Sequence, residues 1–128
     1  MKIKIIRIEG LGNSHSTLSF SSEYGNGQAR WPEGSPIEGR EYFVEIEISD
    51  KAVWGKNVIK SEKEPFSLKT ENGQTIMVCE VEAIYDYGIC NFRMGSSIVA
   101  LEIEGAPCPV GTIVEIKTDK LVLYDMNL

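Results

Sequence analysis

Helical periodicity is what this 128-residue sequence most plainly lacks. No window carries apolar residues at i, i+3, i+4 and i+7 over several turns, which excludes helix bundles and helix-layered α/β folds. Long apolar runs are missing too, and none approaches the ~18 residues of a membrane-crossing helix. The opening MKIKIIRIEG alternates charge with isoleucine and holds no continuous apolar stretch of the kind a signal peptide needs. Histidine occurs once, at His15, among the serines of GNSHS. A nucleophilic triad is recognised by geometry, which closeness in sequence does not supply, so an exposed loop histidine is the plain expectation. One histidine and scattered cysteines leave no ligand cluster for zinc, and neither GxGxxG nor a P-loop occurs. The sequence therefore implies no cofactor, no metal and no enzyme.

Cysteine is scarce as well. Cys79, Cys90 and Cys108 are odd in number and widely spaced, which rules out a disulfide framework. Cys79 and Cys90 fall inside apparent strands, where a thiol acts as a small hydrophobe, and Cys108 stands between two prolines. This usage fits a reducing compartment, and the expectation is a cytoplasmic protein.

What is present is acid, glycine and alternation. The net charge is −6, carried by residues 61–128, which hold five basic and eleven acidic residues; residues 1–60 balance at eight of each. Such a protein repels nucleic-acid phosphate and anionic lipid and attracts a basic protein surface. Composition is that of an ordinary globular domain, and one domain over 1–128 is the natural reading.

The dominant period is two. In KIKIIRI, Ile3 and Ile5 share one face and Ile6 and Ile8 the other, a phase change that predicts a bulge. EYFVEIEIS (41–49) sets Tyr42, Val44, Ile46 and Ile48 against Glu45 and Glu47, the pattern of a sheet with one wet face. Asn72-Gly73 reads as a type I′ hairpin turn. After it, Met77, Cys79, Val81, Ala83 and Tyr85 face one way, and Glu80 and Glu82 the other. Further strands read at 16–20, 53–59, 89–94, 98–105, 112–118 and 120–125, whereas the Gly-, Pro- and Ser-rich stretch 21–36 reads as a long loop. The expected fold is all-β, a single small barrel or sandwich-like barrel of about nine or ten short antiparallel strands with little helix.

Three glutamate pairs at i, i+2 stand on apparent outer faces: Glu45/Glu47, Glu80/Glu82 and Glu102/Glu104. Members of such a pair lie about 7 Å apart by strand rise. Nothing apolar surrounds them that would shift a pKa, so solvation or docking of a basic partner are their two readings. The candidate partner-binding residues are Trp31 and Tyr24 of the long loop together with Glu80, Glu82, Glu102 and Glu104. Trp54, beside Gly55, is either a plug at a barrel end or an interface anchor.

The segments VWGKNVI, GICNFRMGSSIVALEIEG and PVGTIVEIKTDKLVLYD resemble stretches of small bacterial β-barrel proteins, among them immunity partners of secreted or contact-delivered toxins. The resemblance spans about residues 40–125. It implies a compact, non-catalytic acidic protein that neutralises a toxin, such as a nuclease domain, by binding it, and it transfers no functional residue. The alternative is an oligonucleotide-binding type of barrel for single strands or a small ligand, with Tyr24, Trp31, Tyr85, Tyr87 and Phe92 stacking on bases. That site also needs a basic groove, and these strands carry glutamate.

Overall fold

The chain's alternation becomes strand after strand in a computed structural model that describes residues 1–11 and 16–128; His15 lies outside the described residues. β1 (Lys2–Leu11), β2 (Ser16–Ser22) and β3 (Gly25–Trp31) form an antiparallel meander. Register shifts between Ile5 and Arg7, and again between Ile8 and Gly10, carry out the phase change read in KIKIIRI. Ile3 and Ile5 face the core while Ile6 is exposed. β4 (Glu41–Ile48) follows, then the short β5 (Ala52–Val53) and β6 (Val58–Lys60).

β7 (Ser67–Glu71) and β8 (Gln74–Ile84) form the hairpin expected at Asn72-Gly73, both of whose residues take positive φ (52° and 76°). The one helical element among the described residues is a single 3-10 turn, Asp86–Gly88. β9 (Ile89–Met94), β10 (Ser97–Glu104), β11 (Ile113–Thr118) and β12 (Leu121–Asp125) complete the twelve described strands.

Eight strands close into a barrel in the order β1-β2-β3-β7-β8-β9-β10-β4, with β4 returning to β1. β12 lies between β3 and β4, β11 and β6 extend outward from β8, and β5 adds to β10. Most pairs are antiparallel as expected. Four are parallel: β10 with β4, β10 with β5, β12 with β3, and β3 with β7. Three of these junctions (β10 with β4, β12 with β3, β3 with β7) rest on one residue pair each, so the barrel closes through brief touches between long hairpins.

The interior is filled by the inward side of each strand, with Phe20, Phe92, Ile5, Leu18, Met77 and Met94 fully buried. Each such side chain contributes roughly 1.5–3 kcal/mol on removal from water. Ile76 and Val78 are also buried but lie outside this cluster, on the opposite face of β8. Residues 61–66 return over that face, where Lys63 pairs with the buried Glu115 and Phe66 meets Arg93.

The stretch 21–36 is corrected by this fold. Within it Ser21 and Ser22 end β2, Glu23 and Tyr24 turn the chain, 32–36 lie outside any strand as expected of a loop, and Gly25–Trp31 is strand β3. Its glycines concealed the alternation, because Gly27 occupies an inward position that no larger residue fits: a Cβ there would lie 2.7 Å from the Phe20 ring. Gly27, Ala29 and Trp31 share the inward face, so Trp31 is 2% exposed and stacks edge-on against Tyr42 at 4.9 Å. It is a core residue and offers no surface to a partner. Tyr85 departs from the expected alternation too. A register shift between Val81 and Ala83 ends the inward run, and Tyr85 stands exposed.

Candidate functional site

The outer faces of four neighbouring strands, β12-β4-β10-β9, enclose an open groove of about 930 Å³. Its shape follows from the strand pairing. β10 pairs with β9 over six residues but meets β4 only where Ala100 stands opposite Glu47. On either side of that point the two strands are unpaired with each other, and the small side chain of Ala100 lines the groove between them. Alternation along β4 turns Phe43, Glu45 and Glu47 outward. Alternation along β10 does the same for Ile98, Ala100 and Glu102. Ile89 of β9 and Met126, just past β12, add apolar walls.

The groove is therefore part apolar and part acidic. Phe43 (46% exposed), Ile98 (44%), Ile89 and Met126 leave large apolar side chains in water beside the carboxylates of Glu45, Glu47, Asp50 and Glu102. Tyr124 stands opposite Glu45 and its hydroxyl pKa is raised, first by burial and then by the negative charge of Glu47. Outside the groove, in the β8–β9 turn, Tyr87 is 96% exposed and holds a left-handed φ of 64°.

The three glutamate pairs fare differently. Arg93 sits between Glu80 (2.7 Å) and Glu82 (3.3 Å), and its guanidinium also covers the Phe66 ring at 5.1 Å. Phe66 in turn packs edge-on against Tyr24, with ring centroids 6.1 Å apart. Tyr24, Glu80 and Glu82 are thus brought together, but as one self-satisfied stack. Lys51 serves Glu104 at 2.8 Å and Glu102 at 3.9 Å. The Glu104 carboxyl is held below its ordinary pKa by hydrogen bonding and charge from Lys51, and the Lys51 ammonium is raised by the same contact. Glu45 and Glu47 have no cation within 4.0 Å among the described residues.

No known protein family, curated protein or solved structure matches the chain.

Of the sequence-predicted site, Trp31 lies in the core, Tyr24, Glu80 and Glu82 form the stack, and Glu102 alone lines the groove, with Glu104 beside it on Lys51. Sequence reasoning allows Glu45 and Glu47 the same two readings as the other pairs, solvation or docking, but leaves them out of the candidate partner-binding set, and it does not single out Phe43, Ile98 and Met126. The outward position of Phe43 was legible from the alternation. That no cation reaches Glu45 and Glu47 depends on which strands neighbour β4, which the sequence does not carry. Trp54 is half-buried against Phe92 (5.9 Å), with its backbone N–H donating to the Glu104 carbonyl at 2.8 Å. It is a rim plug, and Gly55 (φ 85°) turns the chain beside it. Phe92 is fully buried as well, so Trp31 and Phe92 are withdrawn from any set of base-stacking aromatics.

The buried thiols are inert. Burial pushes Cys79 up to about 12, with the nearby Cys90 adding to the effect, and burial pushes Cys90 up to about 11. No group of three or more His, Cys, Asp or Glu that could hold a metal ion occurs among the described residues. No described helix is long and apolar enough to cross a membrane.

Proposed function

We propose that this protein is a non-catalytic binding protein that captures a basic protein surface in the β12-β4-β10-β9 groove, and that its class is the immunity protein that neutralises a toxin by direct contact. The observation that carries this reading is the groove itself, where exposed Phe43, Ile98, Ile89 and Met126 adjoin Glu45 and Glu47. Apolar side chains left in water offer affinity once covered, and uncompensated carboxylates offer steering toward a cation-rich partner. The net charge of −6 adds to that steering at long range. A phosphate backbone meets repulsion in the same groove, which disfavours the single-strand-binding alternative.

The test is binding to the protein encoded beside this one, at low and high salt, coupled to protection of cells from that protein's toxicity. Tight binding whose association rate falls as salt rises, together with rescue, is the expected result. Binding indifferent to salt, or no protection of cells against any co-encoded neighbour, would overturn the immunity reading.

A further inference from the structure

We propose that the groove takes an extended segment of the partner in which one apolar and two basic residues alternate with small ones, in the pattern apolar-x-basic-x-basic or its reverse. This rests on the reading above and gives the contact chemistry of the partner. Three observations carry it.

The first is the outward row of β4. Phe43, Glu45 and Glu47 succeed one another at i, i+2 and i+4, each exposed, with neighbours about 7 Å apart by strand rise. A second extended chain has the same repeat, so its Lys or Arg side chains at i and i+2 reach Glu45 and Glu47 together, and the residue two further along falls on Phe43.

The second is charge left over. Glu80, Glu82, Glu102 and Glu104 already have Arg93 or Lys51, whereas Glu45 and Glu47 have no cation within 4.0 Å among the described residues. An incoming cation breaks no ion pair there, and Tyr124 is the side chain that already leans on Glu47.

The third is backbone. The Glu104 carbonyl accepts from Trp54 N–H on the β5 side of β10. Strand alternation turns the N–H and C=O of Glu102, Ala100 and Ile98 to that same side. β4 pairs only at Ala100, so the N–H and C=O of Ile98 face the groove with no strand opposite. An extended segment can bond to them. A helix, whose backbone groups are bonded internally, cannot.

The experiment is a titration of isotopically labelled protein, followed by amide chemical shifts, with blocked peptides of sequence Gly-Leu-Ser-Lys-Ser-Lys-Gly and Gly-Leu-Ser-Lys-Lys-Ser-Gly and an alanine-rich helical peptide bearing Lys at i and i+4. The first peptide is expected to bind most tightly and to shift amides of residues 43–47 and 97–100. Glu45→Gln and Glu47→Gln each weaken it about fivefold, the upper end for one exposed ion pair. Glu80→Gln, remote in the Arg93 stack, leaves it unchanged. These positions are exposed, and thermal melts of the variants verify that the fold is intact. The proposal is overturned if the second or the helical peptide binds equally well, if the shifts fall elsewhere, or if no peptide binds. In those cases the broader reading still stands when Glu45→Gln/Glu47→Gln weakens a basic protein partner. It falls with the inference when that double substitution leaves such a partner's binding untouched.

Discussion

Trp31 shows how much a single position depends on its neighbours in the strand. Gly27 looks like a loop residue, yet it is small because the Phe20 ring crowds it, and Ala29 beside it on the inward face is buried. Trp31→Ala removes a fully enclosed indole and its edge-on contact with Tyr42. It should cost about 3–5 kcal/mol, read as a lowered midpoint in denaturant unfolding. The thiols give a second residue-scale prediction. Cys79 and Cys90 are buried and Cys108 is half-buried, so a thiol reagent at mild alkaline pH should label Cys108 first and the other two only on unfolding. Equal labelling rates for all three in the native state would contradict the burial. The same groups set a pH dependence. Their folded pKa values lie above the ordinary 9.0, so their contribution is complete below pH 9. It is lost as pH rises from there towards about 11 and 12, because the unfolded thiols ionise first. Thermal stability should therefore fall across that alkaline range, and less steeply in a Cys79→Ala/Cys90→Ala variant.

At the scale of elements, the long hairpins and the seams between them differ in kind. β1–β2, β2–β3, β8–β9 and β9–β10 are joined over many residues, whereas β4–β10 and β3–β7 meet at Ala100–Glu47 and Gly25–Leu68 alone. Amide exchange should follow that division: the hairpin interiors protected longest, the seam amides opening well before global unfolding. Uniform protection around the barrel would refute it. The 61–66 segment is a second element-scale feature. Lys63 supplies the cation for Glu115, which is 8% exposed, so Lys63→Met leaves a buried carboxylate unpaired. A loss of about 1–3 kcal/mol is expected, measured by chemical denaturation, and Glu115→Gln in the same chain should recover part of it.

At the scale of the whole molecule, closure joins strands far apart in sequence. β3 meets both β7 and β12, and β4 meets β1, β10 and β12. No hairpin completes the enclosure, so loop entropy must be overcome before the closing contacts form. Refolding should take milliseconds to seconds, as in other β-rich domains with non-local pairing, and stopped-flow fluorescence of Trp31 and Trp54 would detect it. A microsecond refolding phase that restores the full signal would argue against this closure. The same topology creates the proposed site, because the groove lies where β10 pairs with β4 at a single residue.

The sequence by itself determined that the chain is all-β with an acidic exterior, because side-chain alternation is a local property of extended backbone and appears directly in EYFVEIEIS and IVALEIE. It left barrel and sandwich-like barrel both open, and closure is set by non-local pairing. It also placed the Asn72-Gly73 turn and the bulge in β1, both of which depend on a few adjacent residues. Only the tertiary structure decided which glutamates are already satisfied. Arg93 lies on a different strand from Glu80 and Glu82, and Lys51 on a different segment from Glu102 and Glu104, so their pairing follows from strand order, and strand order is set by contacts between distant parts of the chain.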